Sequence, residues 1–228
     1  MPVRGAVFTR YPSQAGALFQ WANENEPRRA YHPLHPTGAI SSWQDNYSTG
    51  FWDTLQGEHE TAPPGFRRPS DGVIDKNVPP MGYYPGNLVD SELRQSLYLN
   101  PPVANSSDIS NMRWGYYADG FFDRRQIVDA PGNQGNPRSA VSVSNEEVAY
   151  AGALFINPVT NASIFFPATG YRAFRDGTLN SAGFYGNYWS GSSSDAAHSW
   201  FLDVDNVLMR PYTSFRSLGF SVRCVCAD

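Results

Sequence analysis

Two cysteines, four histidines and a scatter of carboxylates are the groups in this 228-residue chain that could do chemistry. Cys224 and Cys226 stand two apart near the C-terminus. On a strand, residues i and i+2 point to the same side, so a disulfide between them would need severe distortion and a free pair is expected. Zinc normally asks for about four ligands, and no second pair follows at ligand spacing. His198 stands between Ala197 and Ser199, close to the serines of 190–194. A nucleophile there would need a base and a carboxylate to orient it, and no carboxylate stands at a recognisable spacing. The serines therefore read as turn chemistry. Asp203 and Asp205 alternate with Leu202 and Val204 and could share a face. Calcium takes roughly six or more oxygens, so two carboxylates do not make a site. His32 and His35 read as loop packing. The expectation is a protein with no catalytic residue, no metal and no cofactor.

Recognition is a different matter. Tyr188, Asp195, His198, Trp200, Met209, Arg210, Tyr212, Thr213, Ser214, Phe215 and Leu218 gather ahead of the final strand. Tyr, Trp and Arg anchor protein interfaces, and Tyr and Ser dominate adaptable paratopes. The expected contact surface centres on Met209 to Leu218, with Tyr188, Asp195 and His198 as neighbours. Trp200 and Leu208 are expected to turn toward the core.

The elements that must position these residues are short. Hydrophobic residues make up 41% and aromatics 14%, enough for a real core, while charged residues are only 17%. With 20 Gly and 18 Pro, the composition suits a loop-rich fold of short strands rather than a helical bundle. The net charge of -4 gives no electrostatic case for nucleic acid. An opening strand region reaches Trp21. Residues 23–69 read as ordered loop pinned by Trp43, Tyr47, Phe51 and Trp52. Ser91 to Leu99 reads as a helix, with Asp90 or Ser91 as cap and Leu93 and Leu97 on one face. Val148 to Ile156 and Ser163 to Phe166 form a hairpin pattern. Ser199 to Asp205 reads as a strand, and Asn206 to Arg210 as its partner. Phe220 to Cys226 alternates cleanly, which puts Phe220, Val222, Cys224 and Cys226 toward the core. No linker or repeat breaks the chain, so residues 1–228 are read as one domain. No signal-peptide run and no apolar stretch of about 20 residues is seen, so a soluble chain with no membrane insertion is expected.

Several blocks resemble a known family. Pro167–Arg172 (PATGYR), Gly177–Asn180 (GTLN), Gly186–Ser190 (GNYWS) and Gly219–Val225 (GFSVRCV) are similar, in order and spacing, to the Fibrobacter succinogenes major paralogous domain. Leu18–Trp21 (LFQW), Pro64–Pro69 (PGFRRP) and Trp114–Arg125 extend the likeness upstream. The resemblance implies an α+β, C-type-lectin-like fold of the formylglycine-generating-enzyme type. Such a fold would have two helices, small antiparallel sheets and extensive ordered loops, with the binding face on the loops before the last strand. It further resembles the variable proteins of diversity-generating retroelements in Bacteroides and their phages. In those proteins, mutagenesis directed to adenines rewrites codons just before a constant strand. An AAC codon changed only at its adenines reaches Tyr, Thr, Ser, Phe and Leu, the residues found at 212–215 and 218.

The likeness thus implies a non-enzymatic receptor-recognition protein that displays a variable region at 184–218. Its partner would be a protein or glycan receptor on a cell or virion. A phage-tail location is favoured over the bacterial cell surface, and a homotrimer follows by analogy. One alternative is a fimbrial-tip or surface adhesin without a retroelement. Another is an oxidase of the formylglycine-generating type, against which Cys224 reads as a small buried hydrophobe. The Glu-Pro-Asn-like and Trp-Asn-Asp-like motifs of calcium-dependent sugar binders do not occur.

Overall fold

A computed structural model describes residues 8–9, 14–21, 30–33, 35–45, 60–71, 91–97, 115–118, 127–128, 140–141, 152–156, 160–205 and 209–227. In the first half of the chain the strands are β1 (Leu18–Gln20), β2 (Ala30–Tyr31), β3 (Phe66–Arg67), β4 (Gly115–Ala118), β5 (Ile127–Val128) and β6 (Ala140–Val141). Then come β7 (Gly152–Ile156), β8 (Ser163–Pro167), β9 (Tyr171–Arg172) and β10 (Leu179–Asn180). The last are β11 (Gly186–Ser193), β12 (His198–Val204), β13 (Met209–Phe215), β14 (Gly219–Val222) and β15 (Val225–Cys226). A single helix, α1 (Glu92–Leu97), occurs among the described residues.

This corrects the expected α+β, C-type-lectin-like fold with two helices. The described chain is nearly all β, and its one helix is six residues long. The physical reason lies in the sequence pattern. Frequent Gly and Pro keep segments too short for helix propagation, and alternating apolar residues find their hydrogen bonds across strands. No described helix is long and apolar enough to cross a membrane.

The main sheet has eight strands. Its path runs β10-β9-β14-β11-β12-β13, and β1 joins it through β14 and carries β2. β14 lies parallel to β11, with Tyr188 opposite Ser221 and Trp189 opposite Val222. It also pairs antiparallel with β1, where Phe19 faces Phe220. The expected continuous strand from Phe220 to Cys226 is not observed. It breaks at Arg223 and Cys224, and β15 leaves to pair with β3, which puts Cys226 at the surface. β7 and β8 form the predicted hairpin, with β4 added to β7 in a separate three-stranded sheet. The predicted residues 148–151, the helix positions Asp90 and Leu99, the loop anchors Tyr47, Phe51 and Trp52, and Leu208 lie outside the described residues.

Strand alternation sorts the core onto the two faces of the main sheet. On one face Tyr188, Leu202, Val204 and Met209 pack against Phe155 and Phe166 of the hairpin and Leu93 and Leu97 of α1. On the other Trp189, Phe201 and Phe220 pack with Phe19, Trp21 and Leu218. The Trp189 ring lies 4.3 Å from that of Phe220 and edge-on to Trp21 at 5.4 Å. Its indole N–H donates to the Phe19 carbonyl at 2.8 Å, which satisfies its polar atom in the dry interior.

Two buried arginines tie loop to sheet. Arg172 donates to the carbonyls of His32, His35, Pro36 and Gly177, so the His-Pro loop is held by a fixed cation. Arg68 pairs with Glu60 at 3.2 Å and lies over the Trp21 ring at 5.0 Å. Trp43 donates its indole N–H to the Phe174 carbonyl at 2.9 Å, as expected of an aromatic loop anchor.

One glycine is required where β9 begins. Gly170 has φ +71°, and a Cβ there would stand 2.4 Å from the Asn180 carbonyl oxygen and 2.6 Å from the Ala182 nitrogen. Gly170→Ala is expected to cost about 2 kcal/mol or more through strain and backbone overlap, read as a lowered urea midpoint at unchanged m-value.

Candidate recognition surface

β12 and β13 form the outer edge of the main sheet. Their register runs without a slip from His198 opposite Phe215 to Val204 opposite Met209. The partner strand expected over Asn206 to Arg210 is observed from Met209 and continues to Phe215, through residues expected on a display loop. Alternation decides which of its residues reach solvent. Met209 and Pro211 are buried, whereas Tyr212 is 37% exposed. Proline in a strand is tolerated at a sheet edge because no ladder donor is lost there, and β13 is such an edge.

The row that carries Tyr212 is polar and only partly exposed. Arg210 and Asp203 are cross-strand partners, with Nε 3.5 Å from Oδ2. The Arg210 guanidinium also lies over the Tyr212 ring at 4.6 Å, so it is held from both sides. Burial pushes the Asp203 carboxyl up to about 6, opposed by the Arg210 charge and reinforced by that of Asp205. Burial also raises the phenols of Tyr171 and Tyr185, and the Asp203 charge adds to both. Tyr171 lies edge-on to Phe220 at 6.3 Å, which fixes it to the same face of the sheet. Tyr171, Asp203, Arg210 and Tyr212 are therefore brought together on strands, with Tyr185 just before β11 and Asp205 just after β12.

The turn before β12 holds a second cluster. Asp195 accepts from the backbone N–H groups of Ala197 and His198 at 2.7 and 2.8 Å. Both its oxygens lie 2.9 Å from His198 Nδ1. Burial raises the Asp195 carboxyl, but these hydrogen bonds and the histidine outweigh it and the net shift is downward. An orienting carboxylate for His198 thus exists three residues upstream, which the sequence reading had not found. Among the described residues His198 bonds no hydroxyl or thiol. Its ring instead stacks on Phe215 at 4.7 Å, and Phe215 in turn meets Phe174 at 5.2 Å. The arrangement fixes the turn before β12.

The structure therefore separates the eleven predicted site residues. Tyr188, Trp200, Met209 and Leu218 are buried and act as support. The Tyr188 hydroxyl donates to the Pro167 carbonyl. Asp195, His198, Arg210, Thr213, Ser214 and Phe215 are half-buried, and Tyr212 is the exposed one. Sequence reasoning missed Tyr171 and Tyr185. Their signal was weak, because β9, which carries Tyr171, reaches the site only through its pairing with β14, and Tyr185 lies just before β11. It placed Asp203 and Asp205 on one face but set them aside as a metal site. No group of three or more His, Cys, Asp or Glu could hold a metal among the described residues. Burial pushes the Cys224 thiol up to about 11, and both cysteines are free. A thiol so raised stays protonated at neutral pH, which makes it a poor nucleophile.

Residues 142–225 match the family model of a domain of unknown function, DUF8237. The matched segment runs from the β7–β8 hairpin through β14 and so contains the whole β12–β13 edge. No curated protein and no solved structure matches the chain.

Proposed function

We propose that the chain is a non-enzymatic recognition protein that contacts a protein or glycan receptor on a cell or virion through its β12–β13 edge. The observation that carries this reading is the setting of Tyr212. Its ring is exposed, its neighbour Pro211 is buried, and Arg210 is held against it by Asp203. Such a side chain pays little ordering entropy on binding, because the strand beneath it is already fixed. We further propose that positions 212–215 are diversified as in retroelement variable proteins, with a phage-tail setting. Side chains there can change at the sheet edge while Leu202, Val204 and Met209 hold the layer beneath. Leu218 is buried, so diversification at that position would be limited to apolar residues of similar size.

Tyr212→Ala is expected to weaken binding to whole Bacteroides cells, or to a glycan array, by about tenfold or more. The melting temperature is expected to stay within about 2 °C of the parent, since an exposed truncation removes little buried area. A large fall in melting temperature would place Tyr212 in the core and overturn the reading. The diversification is checked in the genome: a near-identical template repeat beside a reverse-transcriptase gene, with mismatches confined to template adenines.

A further inference from the structure

A cavity of about 210 Å³ lies between α1 and β8, away from the β12–β13 edge. Its walls are Leu93, Leu97, Phe155, Ile164 and Phe166, so it is mainly apolar. Ile164 is 37% exposed at its mouth, so a hydrophobic surface is presented to water there. Two charged side chains also line it. Glu92 is already matched: the Arg67 guanidinium binds both its oxygens at 2.6 and 2.7 Å, and the Ser70 N–H donates to it at 2.8 Å. Arg223 is not matched in this way. Its guanidinium lies 5.8 Å from the Phe166 ring centroid, against the cavity wall, and no carboxylate pairs with it among the described residues. The Cys224 thiol, also on the wall, is neutral and compatible with an apolar guest.

We propose that this cavity binds the hydrocarbon chain of a small amphiphilic carboxylate, with the carboxylate on Arg223. The apolar walls supply the affinity for the chain and the cation selects the charge of the head group. The cavity is smaller than the roughly 300–1,000 Å³ of pockets that hold drug-sized ligands, so a medium chain fits and a long one does not. The site does not depend on the recognition surface. It is built by α1, the β7–β8 hairpin and the segment after β14, which also bury one face of the main sheet.

Titration calorimetry of the full chain with octanoate, octanol and hexadecanoate tests it. Octanoate is expected to bind at least tenfold more tightly than octanol, and hexadecanoate more weakly than octanoate. Arg223→Met is expected to erase the difference between octanoate and octanol while octanol still binds. Ala162→Trp, which adds bulk from the exposed rim, is expected to abolish binding of both, and an unchanged melting temperature in that variant confirms folding. Equal affinity for octanoate and octanol in the parent protein would overturn the assignment to Arg223. Failure of the parent to bind either would overturn the site itself.

Discussion

Trp189→Ala is expected to cost about 3–5 kcal/mol of unfolding free energy, enough to remove a large part of a single domain's stability. The ring is fully buried at the centre of the main sheet. It packs on Trp21, Phe201 and Phe220, and its N–H is the donor that holds the Phe19 carbonyl of β1. Truncation therefore opens a cavity and removes this hydrogen bond, two losses that add. Urea unfolding followed by tryptophan fluorescence gives the number. Trp189→Phe should recover much of the packing but not the bond to the Phe19 carbonyl, so its cost reports chiefly that hydrogen bond, about 1 kcal/mol. A cost below about 1 kcal/mol for Trp189→Ala would mean that β1 and β14 are not joined through this ring. The contrast with Tyr212, on the same face of the sheet but exposed, is the basis for dividing the C-terminal region into framework and proposed contact surface.

That division was partly legible in the sequence. The alternation of Trp200, Leu202 and Val204 marked β12, and the run Gly219–Val222 marked the strand that became the middle of the sheet. The partner strand was expected only over Asn206 to Arg210, whereas β13 runs on through Pro211 to Phe215. At a sheet edge proline removes no ladder bond, and edge position is a property of topology that local composition does not carry. Cys226 was placed in the core by extrapolating the alternation past Val222. The alternation continues in the sequence, but the strand does not: Arg223 and Cys224 turn the chain toward β3, more than 150 residues upstream. The same limit hid the site. Tyr171 and Asp203 lie on β9 and β12, which are brought to one face only by the crossing order β9-β14-β11-β12. Helix content was overestimated for another reason. The family likeness carried a fold with it, whereas composition alone already pointed to short strands.

Asp203 gives the second large effect, and its sign follows from the direction of its shift. The carboxyl is raised to about 6 in the folded protein, above the ordinary aspartate value of 3.8. The folded state therefore binds this proton more tightly than the unfolded chain does. Its contribution favours folding most at low pH, falls as pH rises from about 4 to about 6, and is constant above that. The difference between those two values corresponds to roughly 3 kcal/mol. Asp203→Asn keeps the shape and an acceptor for Arg210 but removes the titration. Parent and variant share every other titrating group, so the difference between their unfolding free energies should change by about 2–3 kcal/mol between pH 4 and pH 7, with the variant gaining. The urea midpoints of both proteins, measured across that range, decide it. If the parent instead gains on the variant as pH rises, attraction to Arg210 exceeds the burial penalty, and Asp203 is an ordinary ion-pair partner. The expected direction bears on recognition as well. Near pH 6 the carboxylate that holds Arg210 against Tyr212 takes up a proton, so Arg210 loses its ionic restraint and the proposed contact surface gains positive charge. A receptor matched to that surface at neutral pH should then bind more weakly at pH 5, and Asp203→Asn should remove the dependence on pH.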